Sequence, residues 1–365
     1  MPTYLELSSP LVVSTRTPIT YINSQSVLKT EQKGRNKLNC ISRRICLTLT
    51  KAIVICALTL TILGAASAAF GFGESTAAKV PKRLSASLTY TTFQCPNAPV
   101  TTPGDINNNG QIVLSCSDIT GNDVHGFLLS NASNGVFTPT DPPDAIGGEA
   151  GGINDQGQII GNYGDSMGRQ HGYLLSDGVH TTIDPPKSAL TAAFGINNDG
   201  VIVGTFLEGS LKGKQRGFIR DQNGHYSTFD YPFGIGVLGT EPTQINDLGQ
   251  ILGFAIIGYD PYPPPQDRGF ILDPMTGFKD FNFPGSPNTI PSGINNSGQI
   301  VGIYGESFDT EHGFFFENNT FTTIDYPNAN DTQTNGINDL GQIVGAFRLS
   351  IGGGQTGFVA QFVAP

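Results

Sequence analysis

The pattern Ile-Asn-x-x-Gly occurs six times between Ile106 and Gly341, and each copy is followed by a Gly-Phe or Gly-Tyr pair. The copies begin at Ile106, Ile153, Ile196, Ile245, Ile294 and Ile337, so successive starts lie 47, 43, 49, 49 and 43 residues apart. That is the repeat length of a propeller blade, and the spacing is too irregular for a solenoid. A unit of this size cannot bury an apolar face alone, so the period constrains architecture before any single residue does.

Within each unit four short strands can be read. The first ends in the repeat's Ile-Asn, as at Asn335 to Asn338, and runs into a tight turn, Asn338-Asp339-Leu340-Gly341. Asn and Asp tolerate tight turns, and Gly accepts positive φ without strain. A second strand follows at Gln342-Ile343-Val344-Gly345, a third opens at Gly-Phe, as in Gly313 to Phe316, and a fourth carries Thr-Thr-Ile-Asp, as in Thr322 to Asp325. A proline usually stops that fourth strand, because it cannot continue a ladder.

The two ends of the chain test this division. The last unit runs out at Phe358 to Phe362 without its fourth strand, while Thr89 to Ala98 aligns without a gap on Thr320 to Ala329 and precedes the first unit. The sequence therefore predicts an all-β, six-bladed propeller of four-stranded antiparallel blades, its ring closed by residues 88–95 pairing into the last blade. Ring closure removes the exposed edges that template aggregation.

Before residue 86 the composition changes. Residues 1–44 form a basic region carrying Lys29, Lys33, Arg35, Lys37, Arg43 and Arg44; an apolar stretch within 45–69 follows; 70–85 read as a linker, and 86–365 as the propeller. A basic flank, an apolar core and Ala66-Ser67-Ala68 compose a secretory signal. A retained anchor is the alternative, since about 18 apolar or small residues also span a bilayer. Either reading exports the propeller, because the positive flank stays in the cytoplasm. A start codon placed too far upstream is a further account of the long flank.

Eight basic and two acidic residues precede Ala69, which leaves 12 basic and 28 acidic residues and a net charge of −16. That charge disfavours nucleic acid and anionic lipid as partners. Cys95 and Cys116 are the two cysteines beyond the targeting segment. An even pair in an exported chain is a disulfide candidate that would tie the closing strand to the first unit; two unpaired thiols in half-buried strands are the other reading.

Gly336 to Gly345, with His312-Gly313-Phe314 and Phe321 to Asp325, resembles the bacterial extracellular repeat proteins of the HAF family. The likeness covers nearly all of residues 86–365. It implies export and the repeat fold, and it brings no catalytic residues with it. The chain departs from the pattern at Leu114, where the other units have glycine, and at Val201, where the others have glutamine.

Several chemistry-bearing patterns lose to plainer readings. Gly164-Asp165-Ser166-Met167-Gly168 matches a hydrolase elbow, but it sits in a hairpin loop with no helix after it. Gly234 to Gly239 matches a dinucleotide fingerprint without the strand and helix that give it meaning. The run Asp105 to Ile112 imitates the first eight positions of a calcium loop, but the twelfth position is Cys116, where a bidentate Glu is needed. His125, His171 and His312, and Arg216 and Arg268, share one repeat position, which points to packing or hydrogen bonding rather than to zinc. Neither a metal nor a cofactor is expected, and no catalytic residue is assigned.

Up-and-down strand order gathers the longer loops on one face. That face would present Tyr259, Asp260 and Tyr262 on a proline-stiffened loop, Lys212, Lys214, Arg216 and Arg268, and Glu306, Phe308 and Asp309. Tyrosines held by prolines offer contact area at low entropic cost, which suits a protein segment or a glycan. The expected function is an exported, monomeric binding or scaffold module contacting its partner through this face. One alternative is a carbohydrate or small-molecule hydrolase or lyase at the channel mouth, with Asp165, Glu306 and Asp309 as acid and base. Another is a structural envelope component without a ligand.

Overall fold

The computed structural model describes residues 87–234, 236–258, 266–305 and 311–363. The expected basic region, signal or anchor and linker therefore lie outside the described residues. Among those that are described, no helix is long and apolar enough to cross a membrane.

The chain forms short antiparallel strands throughout. Unit one holds β2 (Val100–Ile106), β3 (Ile112–Ser117), β4 (His125–Leu129) and β5 (Phe137–Pro139). Unit two holds β6 (Gly148–Ile153), β7 (Ile159–Gly164), β8 (Gln170–Ser176) and β9 (Val179–Ile183). Unit three follows with β10 (Ser188–Ile196), β11 (Ile202–Glu208), β12 (Gln215–Arg220) and β13 (Tyr226–Phe229), and unit four with β14 (Val237–Ile245), β15 (Ile251–Ile257), β16 (Gln266–Asp273) and β17 (Gly277–Asp280). Unit five contains β18 (Asn288–Ile294), β19 (Ile300–Gly305), β20 (His312–Glu317) and β21 (Thr320–Ile324), and the last unit β22 (Asp331–Ile337), β23 (Ile343–Arg348) and β24 (Thr356–Phe362).

The strand missing from the last unit is supplied by β1 (Leu88–Phe93), which pairs antiparallel with β24 from Leu88 opposite Phe362 to Phe93 opposite Gly357. The two chain ends thus share one sheet, and Cys95 and Cys116 are joined by a disulfide with their Cα atoms 5.8 Å apart.

Units one, two and five and the composite last unit are separate four-stranded sheets in a propeller arrangement. Six separate sheets are expected from the repeat, and here the structure differs: units three and four form one eight-stranded sheet. The join is a single parallel pair between Gln215 and Gly239. Gly239 has no side chain to hold the strands apart, and the buried Gln215 amide reaches across to Glu241.

Packing within the units follows from one glycine and one aromatic ring. At Gly161, Gly204, Gly253, Gly302 and Gly345 a Cβ would fall within 2.8 Å of Tyr173, Phe218, Phe270, Phe314 and Phe358 respectively. The ring packs against bare backbone, and all five rings are fully buried. In unit one Leu114 takes the glycine position and is itself fully buried, while Phe127 is displaced to partial exposure. Leu114 packs instead with Cys95, Cys116 and Phe93, a local core special to the seam.

Candidate functional site

Two structures occupy the central channel, one at each end. At the tight-turn end, each repeat Asn folds its side chain into its own turn. Asn107 Oδ1 accepts from the Asn109 and Gln111 amides at 3.1 and 3.0 Å. Its Nδ2 donates to the Asn154 carbonyl of the next unit at 3.0 Å. Asn154, Asn197, Asn246 and Asn295 repeat that step at 3.1, 3.2, 3.2 and 3.0 Å, and Asn338 donates back to the Asn107 carbonyl at 3.0 Å. Six turns are thereby closed into one ring.

A second ring joins the same six turns. The next residues alternate strictly: Asn108, Asp155, Asn198, Asp247, Asn296, Asp339. Each backbone amide donates to the neighbouring unit's side-chain oxygen at 2.8–2.9 Å. Each asparagine Nδ2 also bridges two aspartates, as Asn198 does to Asp155 and Asp247 at 2.9 Å. Asparagine supplies donors and aspartate only acceptors, so alternation lets every side chain find its complement. The calcium-like run at Asp105 is part of this turn system, and the described residues contain no cluster of three metal-ligating side chains. Val201 removes from unit three the glutamine Oε1 that accepts from the ring asparagine elsewhere, for example Gln250 from Asn246 at 2.9 Å.

Beneath the turns, Asp105 and Gln244 meet across the channel, Gln244 Nε2 donating to Asp105 Oδ2 at 2.8 Å. The corresponding residue in the other four units is glycine, so these two long side chains form a partition. Burial pushes the Asp105 carboxyl up to about 7, against hydrogen bonds from the Ile106 amide, Gln244 and the Ile153 amide.

On the far side of the partition a cavity of about 550 Å³ opens toward the longer loops. Its wall is built from irregularities in the inner strands. Every unit shifts register at the same place, between Pro103 and Asp105, Ala150 and Gly152, Ala193 and Gly195, Pro242 and Gln244, Pro291 and Gly293, and Thr334 and Gly336. The bulged residues are Gly104, Gly151, Phe194, Thr243, Ser292 and Asn335, and all six line the cavity. A bulge re-aims a side chain and leaves it out of the ladder. Apolar surface comes from Val100, Ile119, Val124, Ile290 and Ile303, and charge from Asp118, Glu149 and Arg348.

Of the expected contact residues, only Lys212, Arg216 and Arg268 are among the described residues. Tyr259, Asp260, Tyr262, Glu306, Phe308 and Asp309 lie outside the described residues. Lys212 is exposed on the β11–β12 loop and does not line the cavity. Arg216 pairs with Asp230 at 3.2 Å and Glu208 at 3.5 Å, and Arg268 with Asp280 at 3.8 Å. These belong to a recurrent device: His125, His171 and His312 contact Asp141, Asp184 and Asp325 at 2.7, 2.7 and 2.9 Å. In four units the shared His/Arg position thus clips the third strand to the aspartate after the fourth, whereas Arg268 reaches Asp280 at the end of β17, and Asn282 stands at the equivalent position. Asp165, expected as an acid or base, is raised by desolvation, but hydrogen bonds from Arg169, His171 and Met167 together outweigh that and hold it down to about 2. Its Oδ1 caps its own loop by accepting from the Met167 and Arg169 amides.

The bulge residues were not singled out by sequence reasoning. The signal was present: the residue two before each repeat isoleucine reads Gly, Gly, Phe, Thr, Ser, Asn in turn, while the Ile-Asn-x-x-Gly that follows is kept in all six units.

No known family model and no curated protein matches the chain. Among solved structures, TolB from Acinetobacter baumannii is similar over 72% of this chain and 66% of its own, at 14% identity and a TM-score of 0.46. A putative TolB from Agrobacterium tumefaciens matches over 73% of this chain and 90% of its own, at 12% identity and a TM-score of 0.49. Trypanosoma rangeli sialidase matches over 78% of this chain and 58% of its own, at 9% identity and a TM-score of 0.45. No residue, ligand or activity is carried over from them.

Proposed function

We propose that residues 86–365 form an exported six-bladed propeller of the HAF type, and that it binds a protein segment or glycan in the cavity on its loop-bearing face. The eight-stranded sheet counts as two blades because one parallel pair is all that joins its halves. Comparable straps occur between separate sheets, where Thr101, Gly148 and Thr332 amides donate to the Gln355, Val124 and Glu311 carbonyls at 2.9, 2.9 and 3.0 Å. The closed ring of six asparagine turns agrees with that count. Export is supported by the basic and apolar N-terminal segments and by the Cys95–Cys116 bond.

The observation that carries the binding reading is the bulge ring. Six equivalent irregularities aim six mostly different residues into one partly apolar cavity, the arrangement expected of a recognition site on a repetitive scaffold. Gly151 offers the test, since a Cβ there meets nothing closer than 3.5 Å. The purified protein and its Gly151→Leu variant would be compared on glycan and envelope-peptide arrays. Binding that the variant loses while keeping its unfolding midpoint supports the reading; binding unchanged by the filled cavity overturns it.

A further inference from the structure

Three side-chain amides on the cavity wall are oriented by partners within the protein, and each keeps one end in hand. Gln333 Nε2 donates to the Glu311 carboxylate at 2.6 Å, and Gln333 Oε1 accepts from Gln355 Nε2 at 3.0 Å. A carboxylate only accepts, so this relay fixes the polarity of both amides and leaves Gln355 Oε1 as its open end. Asn335 Nδ2 donates to Pro103 O at 2.6 Å, which leaves its Oδ1. Asn162 is set the other way round: its Oδ1 accepts from the Ala193 amide at 2.8 Å, which leaves Nδ2 to donate. Gln355 and Asn162 are only 4% and 5% exposed, yet both line the cavity. Among the described residues their remaining amide atoms have no hydrogen-bond partner, and neither atom is sealed from solvent.

Hydroxyls and apolar surface complete the wall. Thr102 and Ser115 stand opposite each other on β2 and β3 and both line the cavity, and neither hydroxyl has a partner among the described residues. Half-buried Phe194 lies three units round the ring from Asn335, with Ile290 and Ile303 of unit five on the same lining. Arg348 is the one cation of the described lining, and Asp331 already meets it at 3.4 Å. The Asp105–Gln244 contact crosses the floor, so an occupant enters as an end or a bend and not as a thread.

We propose that the cavity is a sugar site, which takes the uncharged terminal sugar of a glycan. A hydroxyl both donates and accepts, so the hydroxyls of one ring can answer the Gln355 and Asn335 carbonyl oxygens, the Asn162 amide nitrogen and the Thr102 and Ser115 hydroxyls alike. The C–H face of the ring covers Phe194 and Ile303. A protein segment entering a blind cavity must bring a charged terminus or a bend, whereas a glycan ends in an uncharged polyhydroxyl ring. The volume of about 550 Å³ is that of a small-molecule pocket. This inference rests on the cavity being the binding site and names the class of its occupant.

The purified protein would be screened on an array of glycans ending in a neutral sugar, glycans ending in a carboxylated sugar, and envelope peptides. Retention of neutral-ended glycans alone is expected. The methyl glycoside of the best-bound terminal sugar would then be titrated by ligand-observed NMR. Thr102→Val and Ser115→Ala are each expected to weaken it about fivefold, the net worth of one neutral hydrogen bond, with an unchanged unfolding midpoint, since neither hydroxyl bonds within the described protein. An array that retains no neutral-ended glycan, or a glycoside affinity that neither variant moves, overturns the sugar site. In either case Gly151→Leu separates the two readings: if it abolishes binding of the ligands the array does retain, the cavity reading stands and the sugar class alone is wrong; if it leaves every array signal unchanged, both fall.

Discussion

The two ends of the channel are built from the same six inner strands and obey opposite rules. At the tight-turn end, each polar side chain is the complement of its neighbour, and the ring asparagines are spent on holding the units together. At the loop-bearing end, a register shift only a few residues upstream brings one residue of each unit to the cavity wall, where Gly104 and Gly151 carry no side chain, Phe194 is apolar, and Thr243, Ser292 and Asn335 bond to the next unit's carbonyls. Sameness at one end frees the other to differ. A closed hydrogen-bonded ring fixes the radius of the channel, so glycine, phenylalanine and asparagine can replace one another above it without each substitution reshaping the scaffold.

The sharpest way to break that contrast is to attack the ring. Asn246→Ala removes the acceptor for the Leu248 and Gln250 amides and the donor to Gln250 Oε1 and the Asn295 carbonyl. Orphaned buried groups cost far more than the net worth of the bonds they lose. A loss of about 3 kcal/mol is expected, measured as a shift in the urea midpoint with an unchanged slope. A loss near zero would mean that the ring decorates the fold rather than holding it.

The ring also shows what could be read from the chain. Its turns were legible because Asn-x-x-Gly is local chemistry, and the closing strand was legible because residues 89–98 repeat residues 320–329. The joining of units three and four was not, since it depends on Gly239 approaching Gln215 across a unit boundary. The cavity was missed for a related reason. A bulge is a property of pairing, and Gly104, Phe194 and Asn335 read as ordinary strand residues until their partners are known. Tyr259 and its loop lie outside the described residues, and the described lining comes largely from inner strands and from the loops after β3 and β23.

Asp105 stands between the two ends and gives the next largest effect, one that depends on pH. Its folded pKa is raised by burial from 3.8 to about 7. The native state therefore binds the proton more tightly than the unfolded chain, and stability is greatest below about pH 4 for this group and falls as pH rises through about 7. The cost above pH 7 is on the order of a few kcal/mol. Asp105→Asn, which cannot ionise, should abolish this slope and be the more stable protein at pH 8. Paired urea titrations at pH 5 and pH 8 read it directly; parallel pH profiles for the two proteins would show that the partition carries no titrating carboxylate.

A smaller loss is expected from the bulge belt. Thr243→Val keeps shape and removes the bond to Pro291 O, at about 1 kcal/mol. The contrast between the ends requires this to be well below the Asn246→Ala loss. Equal losses would place the structural burden on both ends alike, and the bulges could then no longer be regarded as the freely varied part of the channel.

The smallest effect belongs to the rim. His125 contacts Asp141 at 2.7 Å beside Val124, which lines the cavity, yet its side chain is 46% exposed. The Asp141 hydrogen bond raises its pKa above 6.5, so its contribution is fully present below about pH 6.5 and fades as pH rises through the raised folded value. Asp141 is itself pushed up by burial, which the histidine only partly offsets, and solvent screens the exposed ring. His125→Gln should therefore cost less than about 1 kcal/mol at pH 5.5 and nothing measurable at pH 8.5. Because the clip recurs as His171–Asp184 and Arg216–Asp230 in units that differ at the bulge, it belongs to the repeat and not to recognition. Ligand affinity in the cavity should be the same for His125→Gln and the parent protein, and a variant that folded normally but bound several-fold more weakly would move the recognition surface outward from the bulges to the rim.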